Sequence, residues 1–228
     1  MTPEKPIFTP TADGSTTLYL PHLDEHYHSI KGALTESLHV YIETALHAIE
    51  QDEIALFECG FGTGLNAFLT LLDCERSHRK VHYQVIEAFP LDVDTASALQ
   101  YPRLIAPDTP HATTLFTRLH SCEWNTPIEI TPYFTLHKIL GDITTHPISE
   151  NSYDVIYYDA FAPEKQPELW SEELLSRIAR SLRHSGVLST YCAKGEIRRR
   201  LTRAGLTVHR TPGPIGGKRE ILQAFRNI

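Results

Sequence analysis

From residue 54 onward, short apolar runs alternate with stretches in which apolar residues recur every three to four positions. The runs "IALFE" (54–58), "VHYQVIE" (81–87), "FTLHKILGD" (134–142), "YDVIYYD" (153–159) and "VLSTYC" (187–192) have the length and the β-branched or aromatic content of strands. Between them lie helix-patterned segments: 64–72, "LDVDTASALQ" (91–100), "SEELLSRIARSLRHSG" (171–186) and "KGEIRRRLTRAG" (194–205). Ser171 is placed to cap the third of these, with Gly186 and Gly205 as terminators. "LTVHR" (206–210) and "EILQAF" (220–225) complete a set of seven expected strands. Alternation of this kind predicts an α/β fold: a mostly parallel seven-stranded sheet with helices on both faces, Rossmann-like in its first turn.

The preceding region reads differently. Residues 1–35, rich in proline, threonine and histidine, predict an N-terminal arm or hairpin, and residues 36–228 the main domain. "TESLHVYIETALHAIEQ" places Leu38, Tyr41, Ile42, Ala45, Leu46 and Ile49 on one helical face, with Thr35 as its cap. Residues 101–135, broken by prolines at 102, 107, 110, 127 and 132, show no clear period.

Composition narrows the class without fixing it. A chain of 228 residues can bury a full core. No apolar stretch approaches a membrane span, and the N-terminus lacks a secretory pattern, so a cytoplasmic protein is expected. The four scattered cysteines form no CxxC pair, which points to reduced thiols, not a disulfide framework or zinc site. His26 and His28 flank Tyr27 with no third ligand nearby; they read as polar surface histidines, and no metal is expected. The net charge of −7 argues against binding nucleic acid by bulk attraction. Clustered arginines in the last third leave two readings open: solvated helix faces, or a local basic edge.

The chemistry begins at "FECGFGTGLN" (57–66). Gly60, Gly62 and Gly64 follow a strand and open a helix, the layout of a nucleotide-binding turn, but Leu65 stands where a dinucleotide fingerprint has its third glycine. Glu58 would repel a pyrophosphate. It suits a ligand with an ammonium group, such as the methionine half of S-adenosylmethionine. Glu87, closing the next strand, could accept both ribose hydroxyls through charge-assisted bonds. Asp142 could accept from the adenine amino group, or be a turn or cap aspartate. Asp159 ends a further strand at the edge where open α/β sheets bind ligands.

"FGTGLN", "YYDAFAPEKQPELW" and "GGKREIL" together resemble the methyltransferase domain of the MnmC-type tRNA wobble-uridine enzymes, as does "ESLHVYI". The resemblance runs from about Tyr27 to Phe225. It implies a class I S-adenosylmethionine-dependent methyltransferase that converts 5-aminomethyl-(2-thio)uridine to its methylaminomethyl form in the tRNA anticodon stem-loop. Asn66, closing F-G-T-G-L-N, is carried over as cofactor-binding and Asp159 as the catalytic aspartate. Phe161, Pro163 and Trp170 would wall the base, although ordinary packing explains them as well. Lys165, Lys218 and Arg219 would contact phosphate, with Arg198, Arg199 and Arg200 along the same edge. Gln166 stands where the family usually has asparagine, and "PIGGKRE" is looser than its common ending. Many members carry an FAD-dependent oxidase domain, for which this chain has no room, so a separate enzyme supplying the aminomethyl substrate is expected. Two alternatives stay open: an aminopropyltransferase-like or small-molecule amine methyltransferase activity, whose aminopropyl form usually has a richer glycine loop, and an inactive binding subunit.

Overall fold

The computed structural model describes residues 5–227; residues 1–4, where the expected arm begins, and Ile228 lie outside the described residues. The chain opens with three short antiparallel strands, β1 (Ile7–Pro10), β2 (Thr16–Leu20) and β3 (Glu25–His26), which form a sheet of their own. Helix α1 (Ala33–Ser37) follows. It widens into a π turn over Leu38–Glu43 and ends in a 3-10 turn at Leu46–Ala48. The expected single helix from Thr35 is thus replaced by three short pieces. Thr35 lies inside α1, and its N–H and hydroxyl donate to Asp13 Oδ2 at 2.8 and 2.9 Å. Asp13, reaching over from the β1–β2 turn, supplies the oxygen that a cap would have supplied.

The main domain then runs β4 (Glu53–Cys59), α2 (Leu65–Ser77), β5 (Lys80–Glu87), α3 (Val93–Ala98), α4 (Tyr101–Ile105), α5 (Ala112–Ser121), β6 (Pro127–Thr131), β7 (Phe134–Leu140), β8 (Tyr153–Tyr158), α6 (Glu172–Ser181), β9 (Leu182–Thr190), α7 (Gly195–Arg203), β10 (Thr207–Pro212) and β11 (Glu220–Phe225), an alternation the pattern predicts except for α4, α5 and β6, which form in the proline-broken segment. The large sheet has eight strands in the order β10-β11-β9-β8-β4-β5-β7-β6. The eighth is β6, an antiparallel edge strand drawn from the proline-broken segment. Pro127 opens it, a place where a missing N–H costs little. The helix from Glu172 stops at Ser181, short of Gly186, because Leu182 turns extended and starts β9. The register then jumps from Leu182↔Tyr153 to Val187↔Val155, so Gly186 lies in a strand irregularity, not at a helix end.

The central strands of the large sheet, β4 and β8, are buried on both faces. Ile54 and Leu56 of β4 and Val155 and Tyr157 of β8 face one core with α2 and α5. Phe57, Cys59, Ile156 and Tyr158 face the other with α6 and α7. Side chains alternate across a strand, so double burial explains why the runs read as continuously apolar. Pairs β5–β7, β4–β5, β4–β8 and β8–β9 are parallel. The carboxyl ends of β7, β5, β4 and β8 therefore share one edge, and the strand order reverses direction at β4–β8. That is the crevice where open α/β sheets bind ligands. No helix among the described residues is long and apolar enough to cross a membrane.

Candidate active site

Four acidic residues stand at those strand ends: Glu58 in β4, Glu87 in β5, Asp142 after β7 and Asp159 after β8. All four line one groove of about 1000 Å³. The loop from β4 to α2 forms its floor. Gly60, Gly62 and Gly64 have φ of +87°, +50° and +73°. A Cβ on Gly62 would come within 3.0 Å of the Tyr27 ring, and one on Gly64 within 2.6 Å of His120 Nε2. Both the left-handed backbone and the crowding call for glycine.

Glu87 is bonded to this loop. Its Oε2 accepts from the N–H groups of Phe61 and Gly62, each at 3.0 Å, and its Oε1 from Phe89 N–H at 2.8 Å. A carboxylate offers about four acceptor positions. Glu87 thus has room for one further donor as it stands, where the sequence reading expected two ribose hydroxyls. Asp142 Oδ1 accepts from the N–H and hydroxyl of Thr144, both at 2.8 Å, which is the turn arrangement, while the residue lines the groove as well.

Glu58 lies lower than a direct ligand contact requires. It is 1% exposed; Oε2 accepts from Tyr83 OH at 2.7 Å and Oε1 from Asn66 Nδ2 at 2.9 Å. Burial pushes its carboxyl well above the usual range, against the pull of those two bonds. Asn66 lines the groove beside it. The same Nδ2 donates to Asp159 Oδ2 at 2.8 Å, so one amide bridges two carboxyl groups. Asn66 Oδ1 is buried without a hydrogen-bond partner among the described residues. A buried acceptor left open in a groove costs free energy unless a ligand donor meets it. An ammonium suits that oxygen in charge and in hydrogen-bond sense.

Asp159 is held at both oxygens, by Asn66 at Oδ2 and by Tyr41 OH at Oδ1, 2.6 Å away. Burial raises its carboxyl to about 6, with the two bonds opposing. A carboxyl poised there can take a proton near neutral pH and release it again. Tyr41 sits in the π turn, a local widening that recurs at functional sites. Sequence reading placed Tyr41 on an apolar face and missed this bond. The available signal was its hydroxyl, since a buried tyrosine usually finds a partner for its O–H.

The N-terminal sheet roofs the groove. Tyr27 lies over Gly62 and meets Phe161 edge-on at 5.1 Å between ring centroids. His28 Nε2 is 2.7 Å from Thr63 Oγ1, and burial pushes its imidazole down to about 4. His28 is therefore a neutral, sheltered contact to the glycine loop and not the surface histidine expected.

The remaining expected residues separate. Phe161 lines the groove. Trp170 does not: it is fully buried, packs edge-on to Tyr158 and donates from Nε1 to the Phe161 carbonyl at 2.7 Å, holding the loop from behind. Pro163 lies in that loop outside the groove lining. Lys165 pairs with Asp24 Oδ2 at 3.0 Å. Lys218 turns into the groove, donates to Glu36 and lies 4.2 Å from the centre of the Tyr191 ring. Arg219 is exposed, as are Arg198 and Arg199 on α7, whereas Arg200 is engaged by the Trp170 carbonyl and Glu196. The structure thus does not gather Lys165, Lys218 and the arginines into one free basic edge.

The chain is 30% identical over 224 residues to the tRNA 5-methylaminomethyl-2-thiouridine biosynthesis bifunctional protein MnmC of Magnetococcus marinus, an alignment covering 91% of this chain and 32% of that protein. The protein of the same name from Cupriavidus metallidurans is 32% identical, over 97% of this chain and 34% of its own length. The chain therefore spans about a third of these curated relatives. The crystal structure of MNMC2 from Aquifex aeolicus superposes with a TM-score of 0.78 at 28% identity, covering 97% of this chain and 70% of that one. A spermidine synthase in complex with the transition state analogue AdoDATO shares the fold, with a TM-score of 0.57 at 14% identity, over 98% of this chain and 74% of that one. The family described as S-adenosyl-L-methionine-dependent methyltransferase matches residues 112–227, which hold Asp142 and Asp159. That match takes in half of the chain, and the chain belongs to the S-adenosyl-L-methionine-dependent methyltransferase family.

Proposed function

We propose that this protein methylates the primary amine of 5-aminomethyl-(2-thio)uridine at the wobble position of tRNA. The observation that carries this is Asp159: a carboxylate fixed at both oxygens, raised to about 6, at the mouth of the strand-end crevice. The names of the MnmC relatives support the choice of acceptor.

S-adenosyl-L-methionine supplies an electrophilic methyl group on a sulfonium. The acceptor alkylamine is mostly protonated at neutral pH, and an ammonium has no lone pair. Asp159 accepts one N–H proton, freeing the lone pair, and holds a second N–H by hydrogen bond. The amine then forms the new N–C bond as the C–S bond breaks, leaving a secondary ammonium and a neutral thioether. Tyr41 and Asn66 keep the carboxylate aimed, so that most of the rate comes from positioning. Asn66 Oδ1 would receive the cofactor's ammonium, with the Glu58 carboxyl, held by Tyr83 and Asn66, beside it. Glu87 takes one ribose hydroxyl in the arrangement seen, and a second on giving up the Phe89 N–H. Phe161 and Tyr27 offer aromatic surface to the base. The aminomethyl group itself is made by a separate reaction.

The test is nucleoside mass spectrometry of tRNA from cells lacking this gene. The aminomethyl nucleoside should accumulate and the methylaminomethyl form disappear, with rescue by the wild-type gene but not by Asp159→Asn. An unchanged nucleoside profile would refute the assignment.

A further inference from the structure

Past the glycine loop, the groove continues to Glu36, Tyr191 and Lys218. The three form one unit. Tyr191 OH donates to the carbonyl of Ala160 at 2.8 Å, which pins the ring beside the residue that follows Asp159. Lys218 Nζ lies 4.2 Å from the centre of that ring and donates to Glu36 Oε1. Glu36 is itself fixed, its Oε2 accepting from Ser29 N–H at 3.0 Å. The ammonium thus stands over a ring that is tied to the residue after Asp159, in the same groove, and its charge acts on that carboxyl. An ammonium has three donors, and Glu36 engages one of them.

We propose that Lys218 reads the O4 edge of the acceptor uracil, donating to O4 while Asp159 holds the amine on C5. This rests on the function proposed above. In a 5-aminomethyluracil, the aminomethyl group and O4 sit on adjacent ring carbons, so a donor beside Asp159 meets O4 once the amine is seated. A cytosine presents an amino group at that position, and the ammonium would then face another donor. A phosphate contact suits Lys218 less well: its side chain is 39% exposed, turned into the groove and balanced by Glu36, whereas Arg219 beside it is exposed. The C2 substituent lies across the ring, so the contact is the same for 2-oxo and 2-thio bases.

The experiment uses two anticodon stem-loop RNAs, one with 5-aminomethyluridine and one with 5-aminomethylcytidine at the wobble position. Wild type is compared with Lys218→Met and with the double variant Glu36→Gln/Lys218→Met, which leaves no stranded carboxylate. Wild type should strongly prefer the uridine RNA. Either variant should lose about 10- to 100-fold in kcat/KM on the uridine RNA, the scale of one charge-assisted hydrogen bond, and far less on the cytidine RNA. S-adenosylmethionine affinity should not move. A folded variant that keeps the wild-type ratio between the two RNAs overturns the proposal and leaves Lys218 as a brace between Glu36 and Tyr191. A wild-type protein that methylates neither RNA overturns the parent reading instead, and this one with it.

Discussion

At the scale of single residues, the site is a chain of hydrogen bonds around two carboxyl groups. Tyr83, Glu58, Asn66, Asp159 and Tyr41 are linked in that order, and each link fixes the next. In the proposed mechanism the ionised form of Asp159 accepts the substrate proton. Its carboxyl is raised to about 6, so kcat/KM should fall as pH drops through that value. Tyr41→Phe removes a donor to the ionised form. Its acid limb should therefore move to higher pH, by about one unit for about 1.4 kcal/mol of lost interaction, with cofactor affinity unchanged. A pH–rate profile that coincides with wild type would show that the Tyr41 bond does not tune Asp159. Glu87→Ala loses a ligand acceptor and three bonds to the glycine loop, and should weaken S-adenosylmethionine binding by roughly 1.5–3 kcal/mol in calorimetry. Unchanged affinity in a folded variant would remove Glu87 from the cofactor site. The acidic strand ends were legible in the sequence because they follow apolar runs that place them on one edge. Tyr41, Glu36 and Tyr191 were not, because they come from elements remote in sequence and their hydroxyl or carboxyl groups resemble ordinary core or surface polarity until the fold brings them together.

At the scale of elements, the N-terminal sheet acts as the roof of the groove and Asp13 is its anchor. Asp13 accepts from Thr11 and Ser15 within the β1–β2 turn and from Thr35 in α1. Burial pushes its carboxyl up, but the bonds from Ser15, Thr35 and Thr11 outweigh this and hold it well below the usual range. A depressed carboxyl contributes stability that is present above its unfolded value near 4 and lost as pH falls below it. The roof should therefore loosen in acid. Asp13→Ala should show the same loosening at pH 7, at a cost of about 1–3 kcal/mol. Hydrogen exchange over residues 7–31 measures this directly, and full protection in the variant would contradict the anchoring role. The central strands and helices α2, α6 and α7 could be read from periodicity, since burial on both faces leaves continuous apolar runs such as "YDVIYY", whereas α4 and α5 lie in the proline-broken segment and could not. The π turn and β6 could not. The turn keeps an ordinary helical pattern while winding wider, and Pro127 reads as a breaker although an edge strand tolerates it.

At the scale of the molecule, the proposed tRNA substrate sets an acidic chain against a polyanion. With Lys165 and Lys218 paired to Asp24 and Glu36, the proposed function leaves phosphate binding to the exposed Arg198, Arg199 and Arg219. Replacing these three with alanine should weaken every tRNA alike and flatten the salt dependence by roughly 0.7 in log–log slope for each phosphate no longer neutralised. An unaltered slope would place the RNA on another face. The central claim is methyl transfer to a tRNA nucleoside amine and not to a small free amine. The most direct measurement is therefore mass spectrometry after incubating the purified protein with S-adenosylmethionine and either tRNA bearing 5-aminomethyl-2-thiouridine or free putrescine. The account predicts one added methyl group on the wobble nucleoside, none on putrescine, and loss of transfer in Asp159→Asn with cofactor binding retained; an unmodified nucleoside, or transfer to putrescine alone, would contradict it.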